Sequence, residues 1–105
     1  MASIFTKIIQ KEIPAEFIYE DDQVVVIQDI QPKSKTHLLI IPKKEIATIN
    51  DIQEKDAPLI AHMFFVAKNI ALQKGIEEGY QLHFNVGKKG GQEVMHIHLH
   101  LLSDI

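Results

Sequence analysis

Between His96 and Leu101 the chain alternates strictly, with His96, His98 and His100 interleaved with Ile97, Leu99 and Leu101. Successive side chains of a strand point to opposite faces, so this run predicts a strand over 94–102 whose apolar residues enter a core. The three imidazoles then share the other face. One core histidine with a satisfied hydrogen bond is ordinary, but three in register against an apolar layer would carry a large desolvation cost. The polar face of this strand is therefore read as the chemical centre.

The rest of the chain supplies what such a strand packs against. Ser3, followed by Ile4, Phe5, Ile8 and Ile9 with Lys7, Gln10 and Lys11 between them, predicts a short opening helix stopped by Pro14. Val24–Gln28 and Thr36–Ile41, separated by the turn residues Gln31 to Ser34, read as a hairpin of two buried strands. From about Gln53 to Lys74 the period becomes helical. Leu59, Ile60, Met63, Phe64, Val66, Ala67, Ile70 and Ala71 share one face, Pro58 falls in the first turn, and Gly75 is placed to end the helix. Ala61, Phe65 and Leu72 fall on the opposite side, where a second copy of the chain could cover them. Tyr80, Leu82, Phe84 and Val86 alternate with polar residues as a further strand, broken by Gly87–Gly91. With no repeat or linker, these elements predict one α+β domain with an antiparallel sheet, residues 1–105.

Composition narrows the class. At 46% hydrophobic and 24% charged residues, a 105-residue chain can offset the entropy of ordering one core. The net charge of -3, without a basic stripe, argues against nucleic acid as a partner. No cysteine is present, which excludes disulfides and thiolate metal sites and favours the cytoplasm. Met1–Pro14 lacks the unbroken apolar core of a signal peptide, and no later stretch approaches the roughly 20 apolar residues that cross a bilayer, so a soluble protein is expected.

Three aligned histidines could bind a metal, since imidazole is a common zinc ligand. The spacing opposes it: at about 3.3 Å per residue, His96 and His100 stand roughly 13 Å apart and leave the sheet nearly parallel. A site of two histidines with His37 or a carboxylate as third ligand stays open. The arrangement better suits a reaction in which His98 attacks phosphorus as a neutral ring while its neighbours hold oxygens or relay protons. Its other nitrogen should then donate to a carbonyl that fixes the tautomer. Gly87–Gly91 with Gln92 could bring backbone N–H groups close to phosphate, or form a plain turn. His37, in step with Leu39 and Ile41, reads by itself as a hydrogen-bonded, partly buried histidine.

The segment Gly90-Gly91-Gln92-Glu93-Val94-Met95-His96-Ile97-His98-Leu99-His100-Leu101-Leu102 resembles the signature of the histidine triad proteins. Ile4-Phe5, Lys7-Ile8-Ile9, Glu12-Ile13-Pro14, Glu20-Asp21-Asp22, Asp29-Ile30 and Thr36 to Lys44 extend the resemblance, to the nucleotide-binding branch, along nearly the whole chain. It implies an antiparallel sheet of about five strands with one long and one short helix, in a homodimer whose sheet is continuous. It also implies metal-independent, cofactor-free hydrolysis of purine nucleoside phosphoramidates and related adenylates through a nucleotidyl-histidine at His98. By the same resemblance Asp29 binds the ribose, while Ile4, Phe5, Ile8, Ile27 and Ile30 surround the base. Asn85, Gly91, Gln92, Val94, His96 and His100 surround the phosphate, and His37 is the fourth histidine that supports the triad. His62 and His83 have no counterpart role and read as ordinary polar positions. Glu93 stands where some members carry a phosphate-contacting serine, leaving any contact there to the backbone. The chain ends at Ser103-Asp104-Ile105, where many relatives continue into a tail that shapes leaving-group preference. Two further classes remain: a nucleotide-binding regulatory protein with little turnover, and a zinc-binding protein.

Overall fold

A computed structural model describes residues 2–105, so Met1 of the opening segment lies outside the described residues. In chain order the elements are helix α1 (Ile4–Ile9), strands β1 (Tyr19–Glu20), β2 (Val24–Gln28) and β3 (Thr36–Pro42), helix α2 (Ala57–Gln73), and strands β4 (Gln81–His83) and β5 (Leu99–Ser103). The strands form one antiparallel sheet in the order β1-β2-β3-β5-β4.

Both faces of the sheet centre are covered, which is why β2 and β3 read as unbroken apolar runs rather than alternations. On one face Val24, Val26, Leu38, Ile40, Leu99 and Leu101 pack with Met63, Val66, Ala67, Ile70 and Ala71 of α2. On the other, Val25, Ile27, Leu39 and Ile41 pack with Phe5 and Ile8 of α1. Among the described residues no helix is long and apolar enough to cross a membrane.

The helix ends show which signals the sequence carried. Gly75, at φ +72°, ends α2 as expected: its N–H donates to the Leu72 carbonyl and the Ile76 N–H to Ala71. Helix α1 stops well before Pro14 by the same device. Lys11 takes the left-handed conformation at φ 64°, its N–H donating to Ile8 and that of Glu12 to Lys7. A lysine there gives no glycine signal. At its start α2 is shorter than the expected 53–74, because single 3₁₀ turns over Ile49–Asp51 and Glu54–Asp56 precede it. Phe64, expected on the buried face, is 41% exposed and meets Phe84 edge-on, ring centroids 6.2 Å apart. The two-residue β1, too short to show a period, was not anticipated.

The two strands nearest the histidines are shorter than their alternation suggested. Strand β5 begins at Leu99, opposite Ile40, rather than at Val94. Upstream, β3 runs out at Pro42, and the chain turns: the His96 N–H donates to Val94 and the Ile97 N–H to Ile46. The alternation of faces nevertheless persists, since Ile97 joins the α2-side core while His96 and His98 meet Phe5 on the other side. Strand β4, expected over Tyr80–Val86, pairs only from Gln81 to His83, its last partner being His100, and Phe84 to Val86 run on beyond the ladder.

Candidate active site

A cleft of about 600 Å³ opens between α1 and the adjacent face of the sheet. Ile4, Phe5 and Ile8 from α1, with Ile27 from β2, give it an apolar end, and Ile30 stands exposed at its rim. Asp29 and Lys33 enter from the β2–β3 connection, and Asn85, Gly91, Glu93 and Val94 from the segments flanking the glycine loop. His98 and His100 line the same cleft. His37, His96 and Gln92 lie behind its wall, each at most 4% exposed.

Backbone groups fix which ring nitrogen carries the proton. His98 Nδ1 lies 2.7 Å from the His96 carbonyl, which can only accept, so the proton is on Nδ1 and Nε2 keeps its lone pair. Phe5 packs edge-on to this ring at 5.0 Å and holds its plane. His96 Nε2 donates to the Pro42 carbonyl at 2.7 Å, and its Nδ1 accepts from the Ser3 hydroxyl at 2.7 Å. The Lys33 N–H donates to His37 Nδ1 at 3.1 Å, placing the His37 proton on Nε2. That nitrogen lies 2.9 Å from His100 Nδ1 and 3.5 Å from Asp29 Oδ2. His100 thus accepts at Nδ1 and carries its own proton on Nε2, available as a donor.

All four rings are held neutral. Burial pushes the pKa values of His37, His96 and His98 below the ordinary imidazole range. His100 is pushed down to about 4, by burial first and then by the neighbouring His98, His83 and His37, with Asp29 opposing. The cleft therefore offers a neutral nucleophile in His98, an N–H donor in His100 and a carboxylate in Asp29.

The structure bears on two of the sequence readings. The Gln92 side chain does not face the cleft: its amide donates to the Ala47 and Val94 carbonyls and accepts from the Gly87 N–H, so it braces the loop. Nor is the glycine loop a free row of donors. Gly90 and Gly91 donate to Gly87 and Lys88, and Gln92 donates to Gly87. The backbone N–H groups of Glu93 and Val94, among the described residues, form no such internal bond. Gly91 itself sits at φ +90°, with Asn85 Nδ2 only 3.2 Å from where a Cβ would stand.

Asp29, His37 and His100 bring ligand atoms within 4.8 Å of one another, the grouping that could hold a metal. They fit one poorly. The Lys33 N–H at His37 Nδ1 keeps the proton on Nε2, the atom that would have to bind, and binding would break the His37–His100 hydrogen bond.

The two histidines read as ordinary polar positions differ. His62 bonds Asp21 at 2.6 Å and ties α2 to the turn before β2. His83 lies flat against His100, centroids 4.7 Å apart and planes at 12°. Only the β4–β5 register brings it there, a signal the sequence pattern did not contain.

Comparisons with known proteins agree with this architecture. The sequence profile of the family described as "Scavenger mRNA decapping enzyme C-term binding" matches residues 2–105. The purine nucleoside phosphoramidase of Escherichia coli (strain K12) is 48% identical over 101 residues, covering 95% of this chain and 85% of that protein. A HIT family hydrolase from Legionella pneumophila Philadelphia 1 is 51% identical, with a TM-score of 0.96 over 99% of this chain and 94% of that one. A histidine triad nucleotide-binding protein from Candida albicans is 32% identical, with a TM-score of 0.85, covering 95% of this chain and 73% of that one. The chain belongs to the histidine triad (HIT) family and is a hydrolase.

Proposed function

We propose that residues 1–105 act as one domain that hydrolyses purine nucleoside phosphoramidates and related adenylates, releasing the nucleoside monophosphate. The observation that carries this reading is the His98 ring, whose Nδ1–H is spent on a backbone carbonyl while Nε2 retains a lone pair in a nucleotide-sized cleft. The name of the Escherichia coli relative supports the substrate class.

The nucleoside lies with its base against Ile4, Phe5, Ile8, Ile27 and Ile30 and its ribose hydroxyls on Asp29, which puts the α-phosphate beside Asn85, Gly91, Glu93 and Val94. His98 Nε2 attacks phosphorus; the P–Nε2 bond forms, the P–N bond to the amine breaks, and the amine leaves with a proton from solvent. The His100 Nε2–H donates to a phosphoryl oxygen and stabilises the charge that develops there. Water then attacks phosphorus, the electron pair of the P–Nε2 bond returns to the ring, and the water's proton goes to solvent. No step draws on a metal or other cofactor. His37 and His96 act behind the wall, holding the tautomers of His100 and the position of His98.

The test is to mix the protein with an adenosine phosphoramidate in the presence of chelator, quench within one turnover and look for nucleotidyl-protein. Wild type should form it and His98→Ala should not; release of adenosine monophosphate by His98→Ala would overturn the assignment. Glu93, an anion lining the cleft, favours a second reading in which nucleotide binds and turnover is slow. Glu93→Ser then raises the rate, whereas an unchanged rate removes that reading.

The same reading includes a homodimer. Strand β4 forms one edge of the sheet, and Phe64, Phe65, Leu72 and Val86 are each at least 38% exposed, Phe64 against Phe84 just after that strand. Pairing of β4 with its copy would bury both; a monomer at micromolar concentration by sedimentation would refute it.

A further inference from the structure

His83 forms the last pair of the β4–β5 ladder, directly opposite His100, on the face of the sheet that carries the cleft. Its side is exposed to water, whereas the ring it covers is half-buried. The remaining neighbours of His100 are His98 on its own segment, with centroids at 4.9 Å and planes at 51°, and His37 on β3, at 5.2 Å and 43°. Those tilted contacts leave the ring free to rock about its His37 hydrogen bond; the flat contact with His83 does not.

We propose that His83 is a positioning residue for the reaction proposed above: stacked on His100, it fixes the plane in which the His100 Nε2–H reaches into the cleft.

The experiment compares wild type, His83→Phe and His83→Val in two readouts: kcat and KM separately for an adenosine phosphoramidate at neutral pH, and the His100 ring ¹⁵N and ¹H shifts by NMR without substrate. His83→Phe keeps a stacked ring, so kcat and the His100 ring shifts stay close to wild type. His83→Val removes the ring, lowers kcat several-fold with KM little changed, and moves or broadens the His100 ring resonances. A His83→Val protein with wild-type kcat and superimposable His100 ring shifts, or a His83→Phe protein as impaired as His83→Val, would overturn the proposal. The NMR readout needs no turnover: a protein that fails to cleave the phosphoramidate but shows the His100 change in His83→Val alone loses the substrate assignment and keeps the role of His83.

Discussion

Removing one hydroxyl from Ser3 should cost more than its place three residues from the chain start suggests. The Ser3 side chain accepts from the Thr6 N–H at 3.0 Å, capping α1, and donates to His96 Nδ1 at 2.7 Å. An N-cap replaced by alanine costs about 1 kcal/mol. His96 is completely buried, so its Nδ1 would also lose its partner away from water, at about 1–3 kcal/mol. The Thr6 hydroxyl, 3.4 Å from the same nitrogen, can move to replace part of that bond, which places the sum near its lower end. Ser3→Ala should therefore lose about 2 kcal/mol, or about 9 °C in Tm for a domain of this length. Because α1 carries Phe5 and Ile8 into the core, and these residues with Ile4 also line the cleft, the loss should appear both in urea unfolding and in faster tryptic cleavage at Lys7 and Lys11. Ser3→Thr keeps both bonds and should stay close to wild type. A Ser3→Ala protein with the wild-type midpoint and wild-type trypsin resistance would show that neither bond carries the load assigned to it.

Other expectations follow from particular strains and charges. Lys11→Gly relieves a left-handed lysine and should raise stability by about 0.5–1 kcal/mol in urea titration, an effect that lysine at negative φ could not give. Gly91→Ala places a Cβ at φ +90° against Asn85; unfolding should become easier by at least about 1 kcal/mol and nucleoside monophosphate binding, followed by calorimetry, should weaken. The four site histidines have pKa values lowered in the folded state, so the unfolded chain binds more protons in acid. Their contribution to stability is whole above the unfolded value of about 6.5 and is lost as pH falls from there through about 4, where His100 titrates. Urea midpoints that stay flat over that window would contradict the neutral-ring network.

What the sequence made legible was periodic or compositional. The alternation at 96–101 placed Ile97, Leu99 and Leu101 in one core and the histidines opposite, and this held even where the ladder itself is absent, because facing is set by local geometry and pairing by a partner strand. The long helix, its glycine stop and the buried hairpin were legible for the same reason. What stayed hidden depended on contacts between distant segments. Lys11 ends α1 without any glycine to announce it, and Gln92 turns inward because Ala47 and Gly87 happen to need its amide.

The triad illustrates the division most sharply. Three histidines at alternate positions are visible in the sequence, but three rings are chemically useful only when each presents the right nitrogen. Here that choice is made by the carbonyls of Pro42 and His96 and the N–H of Lys33, groups every residue except proline's missing N–H possesses in common. Side-chain identity therefore names the reagents, and backbone placement decides their protonation. His37→Asn tests this division, since an amide can still accept from Lys33 and donate toward His100 but at a shorter reach. If placement governs, the His100 ring should change tautomer population, read by its ¹⁵N shifts, while His98, anchored to its own backbone, keeps its Nδ1 proton. A His98 tautomer that changed along with His100 would mean that the rings, and not the backbone groups behind them, set one another's protonation.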